Sequence, residues 1–250
     1  MRYTEARAHP TYLAHVLRHS AQPTFLYGLG TGNKKRVGSS TFGPLNVVRG
    51  QWGLNTGMYA LTYSSCPLMA RQVLKVAVVG EEGTGKSCII ARYVEGRFLR
   101  TTKPTTGADF SATRVTVNEQ NYLYQIWDVS GKWRTLPSLG SEFWTDMSGC
   151  ILVYDVTNAS SFQFLDALRG KVYQESSRED IPLILVGNKT DLEPQGREVP
   201  TKQALAWCED KSIPFFETSA RSGAGLHTVF QLLAEQAVEF YNKRHIDVVC

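Results

Sequence analysis

Eight consecutive residues constrain this chain more than any other feature of its sequence. They read Gly80-Glu81-Glu82-Gly83-Thr84-Gly85-Lys86-Ser87, directly after a β-branched apolar run and directly before an apolar stretch with helical spacing. Glycines let such a turn wrap closely around an anion, so that successive backbone N–H groups and the start of the next helix face it. The GxxxxGKS spacing in this context predicts a phosphate-binding loop; a glycine-rich turn that binds no ligand is the alternative.

From residue 73 onward, short β-branched apolar runs alternate with longer amphipathic stretches. This alternation predicts βαβ units around a mostly parallel six-stranded sheet flanked by helices, the α/β architecture of P-loop NTPases. The predicted strands span residues 74–79, 111–117, 122–127, 150–154, 183–187 and 214–217, and the predicted helices span residues 86–95, 160–176, 201–211 and 225–241. No apolar run is long enough to cross a bilayer, so we expect a soluble or peripherally attached protein.

A phosphate-binding loop does not choose the base, and ATPases, nucleotide kinases and GTPases all remain open at this point. The choice rests on Val186-Gly187-Asn188-Lys189-Thr190-Asp191, which follows an apolar strand and so lies at the ligand-binding edge of the sheet. The Asp191 carboxylate can accept two hydrogen bonds from guanine, whereas adenine would leave it unpaired. A later strand ends in Glu217-Thr218-Ser219-Ala220, whose backbone can donate to the guanine oxygen.

With these motifs the sequence resembles the Ras superfamily, and within it the Rab-like branch, over residues 73–241. The resemblance implies a small G-domain that binds GTP or GDP with Mg²⁺, in which Asn188, Lys189 and Asp191 hold the base. Lys86 would reach the β and γ phosphates, and Ser87 would bind Mg²⁺. The residues that would contact the nucleotide are Gly80, Glu82, Gly83, Thr84, Gly85, Lys86, Ser87, Cys88, Phe98, Thr105, Asp128, Gly131, Asn188, Lys189, Asp191, Leu192, Ser219, Ala220 and Arg221. For Phe98, packing in the core is the alternative to a place beside the base.

Two further segments resemble the nucleotide-sensing switches of that family. In the first, residues 104–110, Thr105 would add a Mg²⁺ ligand only when the γ phosphate is present. In the second, Trp127-Asp128-Val129-Ser130-Gly131, Asp128 would hold Mg²⁺ through water and the Gly131 N–H would reach the γ phosphate. Loss of that phosphate would remove both tethers and let the segments relax, which partners can sense.

Two residues depart from the family pattern at catalytically important positions. Lys132 follows Gly131, where the family usually has a glutamine that orients the attacking water, and lysine has no acceptor with which to align it. Glu82 replaces a small residue and adds negative charge beside the phosphates. We therefore expect firm guanine-nucleotide binding with slow unaided GTP hydrolysis, since the catalytic position after Gly131 is altered.

The second switch is unusually aromatic, with Trp133, Phe143 and Trp144 close to it in sequence. These rings either form a partner-binding surface or pack beneath the switch together with Phe110 and Trp127; large aromatic side chains are usually mostly buried, which favours packing. Effector or complex subunits would dock near residues 105–110 and 133–144, with an exchange factor and a GTPase-activating protein as further partners.

The end of the sequence bears on localisation. Only residues 242–250 follow the last predicted helix, with the basic cluster Lys243-Arg244-His245 and a terminal Cys250 that does not match the CaaX form. One lipid on Cys250 would anchor the chain only marginally, so either lipidation or a protein partner is expected to localise it. The short tail, Ser130-Gly131-Lys132 and residues 105–109 are similar to the Rab-like GTPase of the intraflagellar-transport complex; a vesicle-trafficking Rab is the alternative. We expect a cytoplasmic protein, at an endomembrane surface or in a cilium.

The first 68 residues differ in composition from the rest of the chain. They contain seven Lys or Arg and one acidic residue, Glu5, which leaves the remainder nearly neutral, and they hold no sustained periodicity. We interpret them as a disordered basic extension that precedes a G-domain of residues 69–250. Translation from Met69 or a targeting role would each account for the segment, whereas nucleic-acid binding would rest on its charge alone. The five scattered cysteines indicate reduced thiols and a reducing compartment.

The motifs leave two functions open. The chain is either a regulatory switch whose GTP form docks effectors, or a constitutive assembly subunit in which GTP stabilises the fold, because a ligand that binds only the native state adds stability. Comparing partner affinity in the GTP-analogue and GDP forms separates the two.

Overall fold

The computed structural model describes residues 49–52, 73–132, 139–140, 143–144 and 146–246. All of these residues belong to one structural unit, which lies within residues 47–250. The strands of the described part are β1 (Arg49–Trp52), β2 (Val73–Gly80), β3 (Ala108–Val117), β4 (Gln120–Val129), β5 (Met147–Asp155), β6 (Leu183–Asn188) and β7 (Phe215–Glu217). Its α-helices are α1 (Lys86–Glu95), α2 (Ala159–Gln163), α3 (Leu165–Ser176), α4 (Glu193–Gly196), α5 (Thr201–Lys211) and α6 (Leu226–Ile246), with a 3₁₀ turn at Thr190–Leu192.

The strands form one sheet in the order β1-β3-β4-β2-β5-β6-β7. The pairs β1–β3 and β3–β4 are antiparallel, and the four pairs from β4 across to β7 are parallel. All six strands that the sequence predicts are present, which confirms the mostly parallel α/β sheet. Because the carboxyl ends of β2, β5 and β6 meet at one edge, the loops after these strands converge there.

Both faces of the sheet are covered by helices. Along β2, Leu74, Val76 and Val78 pack on one side with residues of α1 and α6, and Ala77 and Val79 pack on the other side with α3 and α5. Strands buried on both faces are apolar without alternation, which is why the sequence shows continuous apolar runs here. The core thus holds the sheet edge, and the loops that follow it, in a fixed position.

The predicted helix over residues 160–176 is two helices, α2 and α3, that meet at Phe164. Phe164 has ψ −14°, closer to a 3₁₀ turn than to an α-helix, and its N–H donates to both Phe162 and Ser160 carbonyls. The predicted start is nearly right, because the Asn158 side chain accepts hydrogen bonds from the Ser160 and Ser161 amides. The prediction of one continuous helix was wrong.

Strand β1 lies in the segment for which the sequence indicates no regular structure. It pairs with the free edge of β3, with Arg49 opposite Ser111 and Trp52 opposite Ala108. Backbone pairing at a sheet edge needs little from the side chains, so alternation in the sequence does not reveal it. The other residues of 1–68 lie outside the described part.

Helix α6 is longer than predicted, and it packs Phe230, Leu233 and Ala237 fully against the sheet. Neither α6 nor any other helix in the described ranges combines the length and the apolar character needed to cross a membrane. The described cysteines, Cys88, Cys150 and Cys208, are free thiols, and burial raises the pKa of Cys208 to about 12.

Candidate functional site

A cavity of about 860 Å³ opens at the carboxyl edge of the parallel strands. It is bordered by the loop after β2, the segment between α1 and β3, and the loops after β4, β6 and β7. Its lining residues are Glu82, Gly83, Gly85, Lys86, Ser87, Cys88, Phe98, Leu99, Arg100, Thr102, Lys103, Pro104, Thr105, Ser130, Gly131, Lys132, Asn188, Lys189, Asp191, Leu192, Ala220 and Arg221. The motifs identified in the sequence therefore meet around one space.

The glycine-rich loop can be built only without side chains at its narrow points. Gly85 has φ +90°, and a Cβ there would lie 2.4 Å from Asn188 Nδ2. Directly after it, Lys86 is buried and its ammonium donates to the carbonyls of Gly80 (3.0 Å) and Glu81 (2.8 Å). Burial lowers the pKa of Lys86, and the nearby Asp128 carboxylate opposes that shift. A buried cation at the start of a helix is a site prepared for an anion.

A second close approach joins the loop after β4 to the glycine-rich loop. A Cβ on Gly131 would lie 2.3 Å from the Glu82 amide nitrogen, so only glycine allows these backbones to touch. The N–H of Ser130 donates to the carbonyl of Gly107 at 2.9 Å. The two segments that resemble the nucleotide-sensing switches are thus linked to each other and to the phosphate-binding loop.

Three oxygen-bearing side chains converge on the wall of the cavity. Asp128 Oδ2 accepts from Ser87 Oγ at 2.6 Å and from Thr105 Oγ1 at 3.2 Å. Burial raises the pKa of Asp128, while the two hydroxyl donors and Lys86 lower it. Its Oδ1 is buried with no hydrogen-bond partner in the described part. One unsatisfied carboxylate oxygen beside two hydroxyls fits a hard divalent cation such as Mg²⁺, which prefers oxygen ligands.

Asn188 lines the cavity and also connects two of the loops around it. Its side chain is buried, its Nδ2 donates to the Thr84 carbonyl at 2.9 Å, and its Oδ1 accepts from the Ala220 amide at 3.1 Å. The sequence predicts base contacts for Asn188 and a backbone donor in the Ser219-Ala220 segment. In the structure the Asn188 amide joins the glycine-rich loop to the loop after β7, and the Ala220 N–H is donated to it.

The loop after β6 presents a carboxylate and a lysine to the cavity. Asp191 Oδ1 accepts from Ser219 Oγ at 2.6 Å, and Arg221 lies 3.9 Å from Asp191 Oδ2. Lys189 has φ +70° and its Nζ lies 2.5 Å from Asp155 Oδ2. These contacts fix the direction of the Asp191 side chain, so that its acceptors are available at a defined place.

Phe98 lines the cavity from the segment between α1 and β3. The residue is 38% exposed, which does not match a core role and leaves its ring available to stack on a flat ligand. Cys88 and Leu192 also line the cavity, and Cys88 Sγ donates to the Leu99 carbonyl at 3.5 Å. Of the predicted contact residues, Gly80, Thr84, Asp128 and Ser219 support the wall from behind rather than lining it.

Glu82 and Lys132, the two departures from the family pattern, are neighbours. Lys132 Nζ lies 3.6 Å from Glu82 Oε2, and both side chains line the cavity. Both are largely exposed, at 45% for Glu82 and 62% for Lys132. The sequence places them in separate motifs and does not indicate this pair.

The aromatic residues next to the second switch pack beneath it. Trp127 stacks at a tilt on Phe110 with 5.0 Å between ring centroids, and it meets Phe143 edge-on at 5.1 Å. Phe143 and Trp144 are buried. For these residues the packing interpretation is confirmed, whereas Trp133 lies outside the described residues.

Sequence reasoning missed several lining residues between α1 and Thr105, namely Leu99, Arg100, Thr102 and Lys103. No motif marks them, because they reach the cavity only through the path of the chain. It also missed Asp155, which holds Lys189. Its position at the carboxyl end of β5, beside the glycine-rich loop, was a usable signal.

A glycine-rich loop with a buried lysine, an oxygen cluster and a carboxylate-bearing loop at one edge of a parallel sheet define the class of P-loop nucleotide-binding proteins. Comparison with known proteins gives the family. The Ras family model matches residues 75–239, and this chain belongs to that family as a Rab-like small GTPase.

Several Rab proteins are similar to the chain. It is 39% identical over 173 residues to the Ras-related protein Rab7 of Drosophila melanogaster, covering 68% of this chain and 82% of the relative. It is 40% identical over 173 residues to the Ypt/Rab-type GTPase ypt7 of Schizosaccharomyces pombe, covering 68% and 84%. A third relative, the GTP-binding protein yptV5 of Volvox carteri, is 38% identical over 172 residues, covering 67% and 83%.

Proposed function

We propose that this chain is a guanine-nucleotide-binding regulatory switch of intracellular membrane traffic that hydrolyses GTP slowly without help. Nucleotide binding is supported by one observation: the loop that holds Lys86 and the loop that holds Asp191 line the same cavity. Asp191, oriented by Ser219, would accept from the guanine donors, and Phe98 would cover the base. Similarity to Rab proteins supports the trafficking role.

In this proposal Ser87, Thr105 and Asp128 hold Mg²⁺, and the ion, when bound, neutralises phosphate charge. Asp128 positions both hydroxyls through its Oδ2. Lys86 would exchange its carbonyl acceptors for phosphate oxygens, which relieves the cost of a buried cation. The Gly131 backbone, held against the glycine-rich loop, would donate its N–H to the γ phosphate.

The slow hydrolysis follows from what Lys132 lacks. An ammonium group donates but does not accept, so it cannot align a water for attack on the γ phosphate. Its partner Glu82 is bound to it and lies in the phosphate-binding loop. Neither residue reproduces the role of the usual glutamine.

Single-turnover GTP hydrolysis tests this half of the proposal. Wild type is compared with the double variant Glu82→Ser/Lys132→Gln, which places a small residue at position 82 and the usual glutamine at position 132. We expect the variant to hydrolyse GTP faster by on the order of tenfold or more, as gains from a positioned acceptor typically are. Wild-type hydrolysis as fast as that of the variant would contradict the proposal.

A second candidate function is a constitutive subunit of a transport complex, intraflagellar or vesicular, in which the nucleotide stabilises the fold. The ion pair at the two catalytic positions favours it, because a site that has lost its water-positioning residue cycles poorly. Partner affinity measured with GTP-analogue-loaded and GDP-loaded protein decides between the two. A switch binds its effector tighter in one form, and a constitutive subunit binds equally in both.

We further propose that the protein acts in the cytoplasm at an endomembrane surface. Its effectors, exchange factor and activating protein would read residues 104–110 and the region after Gly131. Lipidation of Cys250 would supply the membrane contact, and Cys250→Ser should then move the protein from the membrane fraction to the supernatant. Unchanged fractionation of this variant would point to a protein partner as the anchor.

A further inference from the structure

The ion pair between Glu82 and Lys132 joins two loops that both face the cavity. Lys132 Nζ is 3.6 Å from Glu82 Oε2. The pair forms because Gly131 lies against the backbone of Glu82: a Cβ on Gly131 would be 2.3 Å from the Glu82 nitrogen and 2.5 Å from its Cα. The residue after Gly131 is therefore presented to the Glu82 side chain, and the contact is built into the fold.

A carboxylate in a phosphate-binding loop carries the same negative charge as the ligand that the loop would bind. Glu82 would repel the phosphates that Lys86 attracts. The Lys86 ammonium is hydrogen-bonded to the carbonyls of Gly80 and Glu81 and acts on Glu82 only through space. Two other cations of the cavity face carboxylates on other loops, with Lys189 at Asp155 and Arg221 near Asp191. Among the described residues, Lys132 is the cation that forms an ion pair with Glu82.

One ammonium group then has two alternative anionic partners. With a diphosphate bound, the Lys132–Glu82 pair that the structure shows would stay closed. A triphosphate brings a further anion to the same end of the cavity, and Lys132 can pair with it only by releasing the carboxylate. Opening the pair removes the attraction between Lys132 and Glu82, and the Glu82 carboxylate is then repelled by the added phosphate.

We propose that Glu82 and Lys132 act as one unit that sets the preference between guanosine triphosphate and diphosphate: the pair is closed with diphosphate and opens for triphosphate. This inference rests on the proposed nucleotide binding and adds the determinant of its selectivity. The unit lowers the relative affinity for triphosphate below that of a site with neutral residues at both positions.

A double-mutant cycle with isosteric neutral residues tests the pair. Wild type, Glu82→Gln, Lys132→Gln and the double variant are titrated with GDP and with a non-hydrolysable GTP analogue, both with Mg²⁺. The triphosphate-to-diphosphate affinity ratio should rise in Glu82→Gln, where the carboxylate no longer competes with the phosphate for Lys132, and fall in Lys132→Gln, where Glu82 has lost its ion-pair partner. If the two residues acted independently, the wild-type ratio would equal the product of the two single-variant ratios divided by the double-variant ratio. The measured wild-type ratio should lie about two- to fivefold below that value, the size expected of an exposed ion pair.

Two further measurements tie this coupling to the ion pair. The same cycle in thermal unfolding of the nucleotide-free variants should show coupling of the opposite sign, because the closed pair stabilises that form. Raising the salt concentration should shrink both couplings, since exposed charges are screened. A control cycle that pairs Glu82→Gln with Lys103→Gln, which neutralises another cavity lysine, should be additive.

The outcomes separate this inference from the proposed function. Binding of both nucleotides with additive effects at Glu82 and Lys132 would overturn the inference and leave the proposed function intact. A Lys132→Gln variant with an increased triphosphate preference would also overturn it. If none of the four proteins binds either guanine nucleotide, the proposed function fails and the inference fails with it.

Discussion

Replacing Asn188 with alanine would separate a structural role for this residue from a ligand-binding one. The buried amide donates to the Thr84 carbonyl and accepts from the Ala220 N–H, and alanine leaves both backbone groups unpaired. Each unpaired buried group costs about 1–3 kcal/mol, so we expect a loss of about 2–5 kcal/mol of unfolding free energy. For a domain of this size that lowers the melting temperature by roughly 5–15 °C.

The assay is thermal unfolding of nucleotide-free protein, followed by circular dichroism, with Asp191→Ala as the matched control. Asp191 lies in the same loop and is partly exposed, and its main partner here is the Ser219 hydroxyl, so its loss should cost about 1 kcal/mol. Asp191→Ala should instead abolish the preference for guanine. If Asn188→Ala melts within error of wild type without nucleotide, this side chain does not join the loops.

Three other predictions follow from buried or edge groups. Asp128→Asn should raise the melting temperature of nucleotide-free protein at neutral pH, because a buried carboxyl with a raised pKa costs stability once it is ionised. The same variant should lose the Mg²⁺-dependent part of nucleotide binding, and a variant that keeps this part would exclude Asp128 from the metal site. Lys75 donates to the Phe143 carbonyl at 2.5 Å, and burial lowers its pKa, so the native state loses this proton at a lower pH than the unfolded state does. Wild type should therefore gain unfolding free energy relative to Lys75→Met as the pH rises toward 10.5, and a difference in urea unfolding that stays constant with pH would contradict this. Deleting residues 1–68 should speed amide exchange at the edge of β3, residues 108–111, which β1 covers; equal exchange in both proteins would show that β1 does not protect it.

Much of this fold could be predicted from the sequence because its signals are local. The GxxxxGKS spacing marks the end of β2 and the start of α1, and the run after β6 marks the base-side loop. Strand alternation and apolar runs then leave few ways to arrange six strands and their helices. The cavity follows, because carboxyl ends of neighbouring parallel strands meet.

Contacts between segments that are distant in the chain could not be predicted from the sequence. The pair of Glu82 with Lys132 depends on the absence of a side chain at Gly131, which lets two backbones touch. The amide of Asn188 serves loops from three strands, and no spacing rule reports that. The break at Phe164 is a small change in ψ that helix propensity does not register.

The central claim is that the cavity between the Lys86 loop and the Asp191 loop holds a guanine nucleotide with Mg²⁺. Calorimetric titration of nucleotide-free protein with GDP and then with ADP, in the presence and absence of Mg²⁺, tests it most directly. Binding of GDP should be saturable and strengthened by Mg²⁺, and ADP should show no comparable binding. Equal affinity for both nucleotides, or binding of neither to folded protein, would contradict it.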